Sequence, residues 1–451
     1  MKLTQCIKPG LLSVAIASSF STSAVEVSEQ ELATLKAQIA ALQTRLAQLE
    51  KQAKPVSQSE NQPSSSQNQS TESVDLAKQQ KSVETNSVET TDAEAEESTD
   101  GIKFGGAIRT NFSYTSYDDG NKNRGGDFDF DIFRINMSGE VGGVTLNSEI
   151  RFFDYMTAVK YAYAGYQFSE NWQVQAGITQ VPFGNQAYNS QNYFFSTNYY
   201  LGLEDDFDLG VVFKRSVADN WQLDVGFFKN DELGGVDGYV DNRSDRYSYD
   251  IVGIRTQGEG IYDEPTEGLG EYNTLAGRFA YHFNTGEVKT EVGVSALHGG
   301  IHNGEKRAGD YQAWAFHTSS QYQNWHLQFQ HSQYDYDIGQ ADRLAVGAYS
   351  FYDSIAADAK STTLNIAYDM AVDFGPVTDL QFYNNFGLVY DKSDDSEDTM
   401  MNVLGMSVAA GGLFTYFDLV HAKNQPFIGG SAAGDTDETE QRFNINIGYY
   451  F

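Results

Sequence analysis

The chain has 451 residues, 40% of them hydrophobic and 14% aromatic, with 28 Tyr, 29 Phe, 42 Gly and 7 Pro. A net charge of −32 argues against nucleic acid as a partner. Past the N-terminus no run of about 18 apolar residues occurs, which excludes a bundle of membrane helices; many aromatics and glycines with few prolines point to strands.

The elements follow in chain order. Residues 1–24 have Lys2 and Lys8, an apolar run from Leu11 and small residues ending at Ala24, the pattern of a cleaved secretory signal peptide. The only cysteine, Cys6, falls within it, so the exported chain is expected to carry no disulfide. In residues 25–52, Leu32, Leu35, Ile39, Leu42, Leu46 and Leu49 recur at three- and four-residue steps. That seam predicts a short coiled-coil helix that needs partner helices. Residues 53–100 are rich in Ser, Gln, Thr and Glu and lack the apolar surface to fold, so they read as a linker.

From Gly101 to Phe451 the texture is alternating. "IKFGGAIRTNFSYTSY" sets Ile102, Phe104, Ile108, Phe112 and Tyr114 against Lys103, Arg109, Asn111 and Ser113. Segments of this kind recur, joined alternately by short turns and long polar loops, as in a membrane barrel. Trp172, Trp221 and Trp325 each open a segment beside a short turn, where an aromatic girdle is expected. All four prolines beyond residue 100 (Pro182, Pro265, Pro376 and Pro426) fall in connections, as a ladder without their N–H requires. Scanning finds one apolar segment too many for an even strand count. The acidic "DKSDDSED" belongs outside, which assigns 343–351 to a long outer loop. The reading is an all-β, 16-stranded antiparallel transmembrane β-barrel over 101–451, with 18 strands as the alternative. The closing "FNINIGYYF" alternates to the last residue, so Tyr449 and Phe451 read as lipid-facing and as the signal for the barrel-assembly machinery.

The segments "AGITQVPFG" (176–184), "DFDLGVVFKRSVADNWQLDVGFFKND" (206–231), "GRFAYHF" (277–283) and "NVLGMSVAAGGLFTYFDLVHAKNQPFIGG" (402–430), with the terminal strand, resemble the phosphate-selective porin O and P family over about residues 102–451. The resemblance implies a trimer, an inward-folded loop after "VPFG", and lumen cations that draw anions through. The matching loop, 182–208, carries no Lys or Arg. It has Tyr188, Tyr193, Phe194, Phe195, Tyr199 and Tyr200, then Glu204, Asp205, Asp206 and Asp208. Basic residues fall instead on polar strand faces: Lys103, Arg109, Arg134, Arg151, Lys160, Lys214 and Arg278. These are the candidate pore-lining cations, set against Glu140, Glu149 and Asp224. Weak ion selectivity is therefore expected rather than tight phosphate binding.

His298 and His302 lie four apart near Glu305, in or beside a long loop expected at 300–310, which lacks the fixed frame of a metal site. "DKSDDSED" lacks the turn glycine and spaced Glu of a calcium loop and reads as a solvated surface loop, bridged by divalent ions to lipopolysaccharide. No nucleophile motif occurs, so neither enzyme activity, nor a cofactor, nor a metal site is expected. The functional reading is an outer-membrane porin for passive diffusion of small hydrophilic solutes and ions, a homotrimer among outer-membrane lipid and lipopolysaccharide. The alternative is a structural or adhesive barrel that links envelope layers through its coiled coil.

Overall fold

The computed structural model describes residues 101–451 apart from Tyr193, residues 216–219 and Gln340. The expected signal peptide, coiled-coil helix and linker lie outside the described residues.

Among the described residues, twenty strands form in two sheets. Sixteen make a closed antiparallel barrel. In order these are β1 (Gly101–Thr115), β2 (Asp127–Val141), β3 (Val144–Phe152), β4 (Thr157–Ser169), β5 (Trp172–Gln180), β6 (Phe207–Arg215) and β7 (Trp221–Asp231). The ring continues with β10 (Gly270–Thr285), β11 (Val288–His302), β12 (Arg307–Tyr322), β13 (Trp325–Asp337), β16 (Asp358–Phe374), β17 (Val377–Tyr390), β18 (Thr399–Ala410), β19 (Leu413–Lys423) and β20 (Glu440–Tyr450). The remaining four strands are β8 (Asp250–Ile254), β9 (Glu267–Gly268), β14 (Arg343–Ala348) and β15 (Phe351–Ala356). They form a separate small sheet ordered β15, β14, β8, β9.

Alternation fixes which face meets which medium. Outward residues are apolar and accessible: Phe104 (74% exposed), Ile108, Val225, Phe227, Val294, Leu364 and Ile366. Their neighbours in sequence are polar and buried inside: Arg109, Asp224, Ser295, Thr363 and Asn365. This is the lipid-out, polar-in wall of a membrane barrel. Exposed aromatics gather at the short-turn end, where Phe168, Trp325, Phe374, Tyr449 and Phe451 form a girdle.

The barrel closes between its ends. β1 pairs with β20 from Ala107↔Tyr450 to Thr115↔Arg442. Phe451 extends the ladder, donating its N–H to Gly106 O at 3.0 Å and accepting from Gly106 N at 2.8 Å. Gly106 is needed there: a Cβ would lie 2.3 Å from Arg134 O and 2.9 Å from the Phe451 ring.

The segment 343–351 is outside the barrel wall, as parity demands, yet it is not an irregular loop. β14 and β15 pair as a hairpin, and β14 pairs with β8 from the 232–269 connection. The connection expected at 300–310 is shorter than its composition suggests. β11 and β12 stay paired to His302↔Arg307, leaving residues 303–306 as the turn.

Candidate functional site

The loop 181–206 folds into the barrel. Its start rests on β10, where Arg278 Nε donates to Gly184 O at 2.7 Å. Asn185 N then donates to Gln330 of β13 at 2.8 Å, and Asn189 Nδ2 to Thr363 of β16 at 2.6 Å. Gln191 N reaches Asn385 of β17 at 3.2 Å, and Asn192 Nδ2 reaches Asp418 of β19 at 2.7 Å. In nine residues the loop walks along the inner wall from β10 to β19. Polar residues on both sides make this possible, because the loop's buried N–H groups named above each donate to a polar group of the wall. A glycine gives it room: a Cβ on Gly387 of β17 would sit 2.2 Å from Thr197 Oγ1.

The loop is held from above by an aromatic core built from other inward connections. Tyr199 OH donates to Tyr247 O at 3.1 Å and bonds Tyr349 OH. Tyr200 and Tyr249 meet edge to face at 5.2 Å, and the Phe351 and Phe427 rings pack tilted at 5.1 Å. Tyr247 and Tyr249 belong to the 232–269 connection, Tyr349 to 338–357 and Phe427 to 424–439. Four connections therefore bury their aromatics against one another inside the barrel. The sequence reading expected only the loop at 182–208 to turn inward.

One arc of the wall stays uncovered. Between the loop and strands β19, β20, β1, β2 and β3 lies a cavity of about 230 Å³. Its wall side carries Arg109, Asp129, Asp131, Arg151 and Arg442, and its loop side carries Phe194, Phe195 and Phe427. Arg109 Nε pairs with Asp131 at 2.8 Å. Arg151 and Arg134 both reach Glu149, at 2.6 and 3.6 Å, so two guanidiniums share one carboxylate. The Arg151 guanidinium also stacks over the Tyr247 ring at 4.5 Å. Arg442 donates to Asn444 at 3.1 Å and faces the Phe195 ring at 5.7 Å. Among the described residues it makes no ion pair with a carboxylate. The cavity therefore has an aromatic side and a basic side, with a small excess of positive charge.

The other candidate residues are distributed as follows. Lys160 of β4 is buried and pairs with Asp205 at 2.9 Å, with Tyr188 OH at 3.1 Å. Arg278 pairs with Glu291 at 2.5 Å on the far side of the loop from the cavity. Lys214 is half-buried and stands opposite Asp224 in the β6–β7 register. Lys103 is exposed at the short-turn end of β1. Tyr199 and Tyr200 sit in the aromatic core, fully buried, rather than on the cavity. Glu204 is buried within the loop's own turn, accepting from Asn189 N at 2.8 Å, Ser190 and Ser196. Burial pushes its carboxyl up to about 7. Asp206 and Asp208 lie on the other side, against Asp250. Tyr193 is outside the described residues. Tyr449 and Phe451 are exposed on the outer face.

Comparison with known proteins agrees with the residue-level resemblance. A model of the phosphate-selective porin O and P family matches residues 102–263, which cover β1 to β8 and the inward loop. No curated protein matches the sequence. Among solved structures, an anion-selective porin from Comamonas acidovorans is similar at TM-score 0.49 and 12% identity, covering 78% of this chain and 99% of that one. The outer membrane channel DcaP of Acinetobacter baumannii gives 0.48 and 10%, covering 78% and 97%. OmpT of Vibrio cholerae, in a trimer form, gives 0.46 and 13%, covering 78% and 99%.

Proposed function

We propose that this porin-type barrel is an outer-membrane channel through which small hydrophilic solutes and ions diffuse passively, with a weak preference for anions. The observation that carries the proposal is the open arc of the barrel. The inward loop is bonded along β10 to β19 and leaves β20, β1, β2 and β3 to line a cavity whose wall presents Arg109, Arg151 and Arg442. Guanidiniums in a narrow, low-dielectric passage favour anions by local field. The preference is weak because Asp131 and Glu149 offset most of that charge. A tight phosphate site needs several converging cations, and the inward loop supplies none of them.

The same proposal includes a trimer in the membrane, motivated by the heptad seam at Leu32–Leu49 and by the family resemblance. It also includes lipid and lipopolysaccharide around the apolar band. Purified protein inserted into planar lipid bilayers tests the channel. Stable single-channel steps in potassium chloride are expected. Insertion without steady current contradicts the proposal and favours a barrel plugged by its four inward connections, in a structural or adhesive role.

A further inference from the structure

Beside the eyelet, and separate from it, lies an acidic cluster that the diffusion path does not use. We propose that Asp206, Asp208 and Asp250 bind a divalent cation, calcium by its geometry, which clamps the inward loop and the small inner sheet to the barrel wall. One carboxylate oxygen from each residue lies within 4.8 Å of the others. Calcium binds oxygen at about 2.3–2.6 Å, so ligand oxygens on one ion are at most about 5 Å apart. The three acids come from the end of the 181–206 loop, the start of β6 and the start of β8.

A second observation points to a ligand. Asp208 is only 2% exposed, and its Oδ1 has no hydrogen-bond partner among the described residues. Asp206 Oδ1 is likewise without one. Both residues line a cavity of about 20 Å³ with Asp250 and Glu271, and a space of that size holds about one water-sized sphere. A buried carboxylate without donor or cation is strongly disfavoured.

The nearby guanidiniums centre on Asp231 and Glu232, and of the three proposed ligands they reach only Asp250. Arg246 reaches Asp231 at 2.9 Å, Glu232 at 2.7 Å and Asp250 at 3.2 Å, and Arg243 pairs with Asp231. Neither arginine pairs with Asp206, Asp208 or Glu271 among the described residues. Glu271 accepts from Tyr336 OH at 2.9 Å. Six carboxylates thus face two guanidiniums, and the surplus collects at the side where Asp206 and Asp208 point into the cavity. Hard, oxygen-only, carboxylate-rich ligation suits calcium better than a transition metal. Magnesium fits less well, because it demands octahedral geometry and retains water.

The test uses the full chain, purified in detergent without chelator. Metal analysis should find one calcium per chain beyond what surface loops hold. After stripping with chelator, added calcium chloride should raise the temperature at which the barrel loses its heat-modifiable gel mobility. Asp208→Asn should bind calcium at least about tenfold more weakly. It should also make the stripped protein more heat-stable than stripped wild type, because one buried charge is gone. A merely structural aspartate would give the opposite sign. Asp250→Asn serves as the second variant if Asp208→Asn fails to assemble. Calcium held by the "DKSDDSED" loop would persist in both variants. No calcium-dependent shift in the stripped wild type, or an equal shift in the variants, overturns the proposal. Magnesium chloride giving the larger shift overturns the assignment to calcium.

Discussion

Lys160 Nζ lies 2.9 Å from Asp205 Oδ2, so a lysine of the barrel wall is neutralised by an acid of the inward loop. Tyr247 OH donates to the same oxygen at 2.5 Å, which adds the 232–269 connection to the junction. All three side chains are buried. Lys160→Met leaves Asp205 buried without its cation, which costs about 3 kcal/mol. The double variant Lys160→Met with Asp205→Asn is expected to be milder, since no unpaired charge remains. Urea midpoints of the two variants in detergent give the comparison.

In the proposed channel the loop's position on the wall would set the eyelet's width. Gly387→Val places methyl groups where Thr197 now packs, pushing the loop off β17 and into the lumen. Single-channel conductance should fall. Deleting residues 186–200 should raise it, because the aromatic side of the eyelet goes with Phe194 and Phe195. Unchanged conductance in a correctly assembled deletion would put the constriction elsewhere.

Glu204 couples the loop to pH. Burial is the main cause of its raised carboxyl, against the hydrogen bonds from Ser196, Asn189 and Ser190. The folded form keeps the proton up to about 7, while the unfolded form loses it near 4.5. The stability this group contributes is full below about 4.5 and is lost as pH rises towards 7, up to about 3 kcal/mol in all. Glu204→Gln should flatten that part of the profile. The difference in urea midpoint between wild type and variant at pH 5 and pH 8 measures it.

Phe451 contributes to closure through its backbone and to the girdle through its ring. Its burial in lipid is worth about 1–3 kcal/mol. Deleting it should reduce the yield of heat-modifiable barrel in membranes more than it lowers the heat resistance of barrels that form. Normal yield without Phe451 would remove its role as an assembly signal.

Much of the barrel was legible because its physics is local. Alternation reports which side faces lipid, and "FNINIGYYF" shows it residue by residue. Parity, with "DKSDDSED" outside, was enough to keep 343–351 out of the wall. The inner sheet was not legible, because β8 and β14 are more than 80 residues apart and pair only once both connections turn inward. The apolar "DIVGI" inside the long 231–270 connection was the available sign. Tyr199 and Tyr200 looked like constriction residues, but their partners Tyr247, Tyr249 and Tyr349 come from distant connections. Arg442 shares the inward parity of Asn444 and Asn446, but the apolar alternation of the last strand reports only its outward face, from Phe443 to Phe451.

The central claim is that the eyelet's basic wall governs passage, with Arg442 as its cation outside any ion pair among the described residues. The direct measurement is the zero-current potential across a bilayer separating two concentrations of potassium chloride, for wild type and Arg442→Gln. The account predicts a small potential of anion-preferring sign in the wild type, moving towards zero or reversing in the variant while single-channel steps persist. A cation-preferring wild type, or a potential that Arg442→Gln leaves unchanged, would contradict it.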